Sequence, residues 1–181
     1  MSRTRVRLRS MPTILRLQVV LLLAVCSAAV WGQQSPAKAD DEKLKPLAEN
    51  APKDQPKDLH GKEGVSDFEK AIAPYVAKAR RTLPETKKRF QKGLKPGEVL
   101  SLTIRIYDDA GRFEQVFLQV KSWKDTTIVG LLSTPPELVK THKQGEKMTF
   151  AEKDVYDWTI SKPDGSEEGN FVGKFLDTYH P

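Results

Sequence analysis

The spacing of the apolar residues changes once along this chain, between Gly93 and Gly97, and that change restricts the fold more than any other feature. Upstream, Phe68, Ile72 and Val76 recur every four residues, the spacing of one helical face. Downstream, Leu100, Leu102, Ile104 and Ile106 alternate with Ser101, Thr103 and Arg105, the period of a half-buried strand. A chain that passes from the first period to the second builds helix and then sheet. The expected class is α+β, an N-terminal helix or helix pair packed on a curved antiparallel sheet of about five to six strands.

Local signals set the element boundaries. Ser66 and Glu69 form a capping box ahead of a helix over Asp67 to Arg81, in which Pro74 removes one hydrogen bond and predicts a kink or a break. Pro84 stands in the first turn of a second short helix, which Gly93 ends. Asp108-Asp109-Ala110-Gly111 closes a hairpin onto a strand with Val116, Leu118 and Val120 inward and Gln115, Gln119 and Lys121 outward. Trp123-Lys124-Asp125 turns the chain into a strand over Thr126 to Leu132. Pro135 and Pro136 then interrupt the sheet, with a helical turn expected over Pro136 to Lys140. Strands are expected again at Lys147 to Phe150, Val155 to Ser161 and Asn170 to Leu176.

The region ahead of this domain has a different composition. Residues 1–32 carry Arg3, Arg5, Arg7, Arg9 and Arg16, then an apolar run from Leu17 to Trp31, then small residues, which is the layout of a secretory signal peptide. The run is 15 residues long and contains Gln18, whereas a helix needs about 20 to cross a bilayer. Cleavage after Gly32 is expected, with translation starting at Met1 or Met11. A lipoprotein signal ending at Cys26 is the alternative, and it would tether the protein to a membrane. Residues 33–65 mix Lys with Asp and Glu around four prolines, a composition that reads as a disordered linker, and the α+β domain occupies 66–181. The expected location is exported, either periplasmic or extracellular, with no transmembrane span in the mature chain.

Export also changes the charge argument. The whole chain has 30 basic and 24 acidic residues, but five of the basic ones and none of the acidic ones lie in 1–32, leaving 25 against 24. The excess positive charge thus belongs to the export segment, and nucleic acid is not an expected partner. Cys26 is the only cysteine, so the mature chain has neither disulfides nor thiol chemistry. His60, His142 and His180 lack metal-ligand spacing. No metal and no cofactor is expected, and no phosphate loop, dinucleotide fingerprint or nucleophile elbow occurs.

The stretches "TLPETKKRF", "EQVFLQVKSW", "IVGLLSTPPELV", "KQGEKMTFAEKDVYDW" and "GNFVGKFL", in this order from Ala71 to Tyr179, resemble the bacterial family known as domain of unknown function 2314, which includes the YegJ-like proteins. Glu114, Gly130, Leu132, Pro135, Gly145, Asp157, Trp158, Gly169 and Asn170 occupy the places of the family's recurring residues. "GNFVGKF" stands where many members have a Gly-Gly-Tyr-Thr type of sequence. The resemblance implies a fold but no established activity.

Three functional readings remain. In the first the domain is a non-enzymatic binding or accessory module of the cell envelope, with an envelope protein as partner and Asp157 and Asn170 as binding candidates. In the second, Glu114 and Asp157 face one cleft and act as a hydrolase acid/base pair. In the third, the basic run from Lys78 to Lys95, with Lys87, Lys88 and Arg89 at its centre, contacts an anionic envelope surface. Parity on the strand ending at Ser161 puts Trp158 in the core and Asp157 outside it. Trp158, Gly130 and Gly169 are read as structural.

Overall fold

The computed structural model describes residues 43–53 and 61–179, with side chains described from Gly64 onward in the second stretch. Residues 1–32, where a signal peptide is expected, with Cys26, and also His60 and His180 lie outside these residues.

A single helix, α1, runs from Gly61 to Lys92, 32 residues, or about 48 Å at 1.5 Å per residue. The expected break does not occur. Pro74 and Pro84 both lie within α1 and both are exposed, so each missing hydrogen bond falls on the side where solvent can reach the orphaned carbonyl. The apolar face meanwhile continues past them: Phe68, Ile72, Ala79 and Leu83 are buried, with Tyr75, Val76 and Phe90 packed at the same three-or-four spacing.

Six antiparallel strands follow: β1 (Val99–Tyr107), β2 (Phe113–Lys124), β3 (Thr127–Leu132), β4 (Lys147–Ala151), β5 (Asp157–Ser161) and β6 (Glu167–Gly169). Their order across the sheet is β4-β3-β2-β1-β5-β6. β1 is central, with β2 on one side and β5 on the other. Leu102 lies opposite Leu118 and also opposite Trp158, and Leu118 lies opposite Leu132, so one row of apolar side chains crosses four strands. All four are buried. Burying such a row gains about 25 cal/mol for each Å² of apolar surface removed from water.

Two departures from the expected pattern have local causes. β2 contains a bulge between Val120 and Ser122. An extra residue reverses parity, so Trp123 joins the same core as Val116, Leu118 and Val120 instead of turning the chain. The reversal itself comes at Asp125, which has a φ of 47°. The second departure is the expected strand over Asn170 to Leu176, which is a helix, α2 (Phe171–Leu176). Gly169 and Asn170 have φ of 80° and 53°; two consecutive left-handed residues take the chain off the sheet edge and end β6. The expected helical turn at Pro136 to Lys140 is also absent. That segment bends around the Glu114 carboxylate instead.

Residues 43–53 lie against the sheet. Lys45 N–H donates to Gln119 Oε1 at 2.8 Å and Gln119 Nε2 donates to Lys45 O at 2.9 Å. Gln119, expected to point outward into solvent, is covered by this contact and is 3% exposed.

Ile104 is fully buried on β1 and Leu47 is 46% exposed. In urea denaturation, Ile104→Ala should lower stability by about 2–5 kcal/mol, and Leu47→Ala should stay within about 0.5 kcal/mol of the parent.

Candidate functional site

The C-terminal hairpin folds over Asp157. Its carboxylate is fully buried, accepting the Trp158 N–H at Oδ1 (2.8 Å) and the Val172 N–H, in the first turn of α2, at Oδ2 (2.6 Å). The outward position expected from strand parity is therefore not observed, because a helix covers the start of β5 in place of a sixth long strand. Burial pushes the carboxyl up to about 6, and the N–H donors of Val172 and Trp158, with the charge of Lys174, only partly oppose it.

Trp158 is in the core, as parity predicts. Its indole N–H donates to Thr82 Oγ1 on α1 at 2.9 Å, and its ring meets Phe171 edge-on at 5.7 Å. Gly169 lies against that ring: a Cβ there would come within 2.3 Å of the Trp158 carbonyl oxygen and 2.6 Å of the ring. Asn170 donates to Glu167 Oε2 at 2.8 Å. Gly130 is constrained in the same way by β2, since a Cβ would sit 2.5 Å from the Gln119 carbonyl oxygen.

Glu114 stands on β2, on the other side of β1 from Asp157. Its carboxylate accepts the N–H groups of Glu137, Leu138 and Val139 at 2.8, 2.8 and 3.0 Å. Three consecutive N–H groups converging on one carboxylate curve the backbone around it, and the segment bends at Glu137 and Leu138 in place of a helical turn. Burial opposes the charge, but the N–H groups of Glu137, Val139 and Leu138 outweigh it and hold the carboxyl below its ordinary range.

The two carboxylates are not brought together. Glu114 lies opposite Ile106 and Asp157 opposite Thr103, on the two sides of β1 and three residues apart along it, about 10 Å at 3.3 Å per residue. Neither lines either of the two grooves described next.

The basic run divides by helix face. Lys87 bonds Glu152 at 2.7 Å and the Asp125 carbonyl, beside Trp123, whose indole N–H donates to the same Glu152 oxygen at 3.0 Å. Arg89 bridges Glu98 and Glu168 at 2.7 and 2.8 Å. It lines a groove of about 440 Å³ with Lys95, Pro96, Glu98, Lys162, Pro163, Asp164 and Glu168. Lys88 reaches only Glu85, at 3.3 Å, in solvent. Lys78, Arg81, Lys88 and Lys92 are all exposed and follow helical spacing along one outer stripe of α1.

Sequence reasoning misses one constellation. The Arg105 guanidinium lies 4.0 Å from the centres of both the Phe113 and Tyr156 rings and pairs with Glu69 of α1. Arg80 flanks Tyr156 and donates to the carbonyls of Val155 and Lys153 at 3.2 and 3.3 Å. Burial raises the Tyr156 hydroxyl above its usual range. Beside this stack runs a second groove of about 410 Å³, lined by Glu69, Ile72, Ala73, Val76, Ala77, Arg80 and Tyr156. The only signal available in the sequence is the arginine on the polar parity of β1, which does not indicate the rings. Among the described residues, no group of three His, Cys, Asp or Glu side chains is placed to hold a metal, and no helix is long and apolar enough to cross a membrane.

The family model described as "Uncharacterized protein conserved in bacteria (DUF2314)" matches residues 67–177. The chain belongs to this family. The DUF2314 region covers most of α1, the whole sheet and the whole of α2, so it includes both grooves and both carboxylates. No curated protein and no solved structure matches the chain.

The raised carboxyl of Asp157 implies a specific pH dependence. Between its unfolded value, 3.8, and about 6 the folded state binds the proton more tightly, so this group's contribution to stability is present at low pH and is lost as pH rises through 6. Glu98, Glu114, Glu146, Asp108 and Asp164, all lowered, act in the opposite direction and at lower pH. Urea denaturation between pH 4.5 and 7 should therefore show a loss of about 2 kcal/mol that is absent in Asp157→Asn.

Proposed function

We propose that the chain is an exported, non-enzymatic binding or accessory domain of the bacterial cell envelope, delivered by residues 1–32. One observation carries this reading over the hydrolase alternative. The two carboxylates available for acid/base work are both engaged as acceptors of backbone N–H groups, Glu114 by three and Asp157 by two, on strands that flank the central strand on its two sides. An acid/base pair must share a cleft with its substrate. The uneven charge of the N-terminal segment supports export.

A second reading is favoured by the outer stripe of α1. Lys78, Arg81, Lys88 and Lys92 form a row of exposed cations with Glu85 beside it, a surface suited to anionic headgroups or envelope polymers. Lys87 and Arg89 take no part in this row, since their charges are directed into the fold.

Intact-mass spectrometry of the native envelope fraction should give a chain beginning at Gln33; a chain beginning at Cys26 with acyl groups would make the protein membrane-tethered, and an intact N-terminus would refute export. On the second reading, retention on anionic vesicles should fall at least tenfold between 50 and 300 mM salt, and Lys88→Glu with Lys92→Glu should abolish it. Turnover on envelope substrates that disappears in Glu114→Gln without loss of stability would overturn the non-enzymatic assignment.

A further inference from the structure

The face of the sheet opposite the apolar row buries several polar side chains beside Val99 and Leu131. Ser101 lies opposite both Gln119 and Thr159, and Val99 lies opposite Ser161, so these side chains share one face. Ser101, Gln119, Thr159 and Ser161 are all buried. Residues 43–53 form a strap over this face: Lys121 Nζ of β2 donates to the Lys43 carbonyl, the Gln119 carboxamide pairs with Lys45, and Asn50 donates to the Asp164 carbonyl at 2.9 Å beyond β5.

The way the strap is held is informative. None of its side chains is buried, and Leu47 is 46% exposed. Its attachment uses the carbonyl of Lys43 and both the N–H and the carbonyl of Lys45, the alternate-residue pattern of an extended chain recognised through its backbone. Thr159 Oγ1 is buried on this face without a hydrogen-bond partner, so the face holds a polar group that the strap does not satisfy. Such an occupant is held by a few bonds of small net worth and by its covalent connection to α1, which gives it a high effective concentration.

We propose that this polar face is a docking site for an extended segment of a partner polypeptide, and that residues 43–53 occupy it in the free chain. The chemistry selects a peptide: the carboxamide of Gln119 donates and accepts toward one residue, and a backbone N–H and C=O supply both complements. Because the attachments at Lys43 and Lys45 use only the strap's backbone, a partner segment can replace the strap by adding side-chain contacts beyond the single one that Asn50 makes. The inference deepens the binding reading above and rests on it, naming the partner class.

Fluorescence anisotropy with the labelled peptide KLKPLAENAPK, the sequence of residues 43–53, tests this on the full chain. Lys45→Pro removes the N–H that Gln119 accepts and changes only an exposed strap residue, so this variant should bind the peptide at least fivefold more tightly than the parent. The same peptide carrying proline at the Lys45 position should bind at least fivefold more weakly. Equal affinities in either comparison would overturn the docking face, while the mass and turnover measurements above would still stand. Sedimentation should show monomers for the parent; a parent dimer that dissociates in Lys45→Pro would overturn the partner assignment in favour of strap exchange between two copies.

Discussion

The indole of Trp158 is the junction on which the rest of the domain depends. It closes the apolar row that begins at Leu132, lies opposite Leu102, donates to Thr82 on α1 and receives Phe171 of α2 edge-on. The sheet, the long helix and the short helix thus meet at one side chain. Its size also dictates its neighbours: Gly169 has no room for a Cβ against the ring. The left-handed backbone that glycine permits there is what turns the chain into α2, whose first amides enclose Asp157.

Glu114 and Asp157 show how similar contacts give opposite electrostatic results. Both accept backbone N–H groups, and both are drawn out of water. For Glu114 three donors outweigh partial burial and favour the charged form; for Asp157 two donors do not offset complete burial, and the neutral form gains. One carboxylate therefore shapes a loop as an anion, and the other sits under α2 close to the boundary of its charge state.

Local chemistry made much of the fold legible in the sequence. The strand over Leu100 to Ile106, the Asp108 to Gly111 turn and the core position of Trp158 all follow from short-range pattern and are present, but the strand is not half-buried as expected, because Ser101 and Thr103 on its other face are buried too. What escaped depends on tertiary context. Pro74 and Pro84 stay within one helix because both face solvent while the opposite side packs. Residues Phe171 to Leu176 become helical because Gly169 and Asn170 turn left-handed and a distant carboxylate accepts their first amides. The stack of Phe113, Arg105 and Tyr156 joins two strand ends with the residue before β5, and no periodicity records that meeting. The candidate site was legible only as a set of residue names. Glu114, Asp157, Lys87 and Arg89 were visible as charges, but their internal partners, which decide what each can do, were not.

The placement of the strap gives the domain a direction of weakness. Any pull applied to the chain ahead of Lys43 reaches the folded body through the strap before it reaches α1. The attachments at Lys43, Lys45 and Asn50 lie one after another along that line, so the load falls on them in sequence, as in peeling, and each yields alone. The six-stranded sheet and its tryptophan junction lie beyond this seam. Tension would thus expose the polar face while the core remains folded.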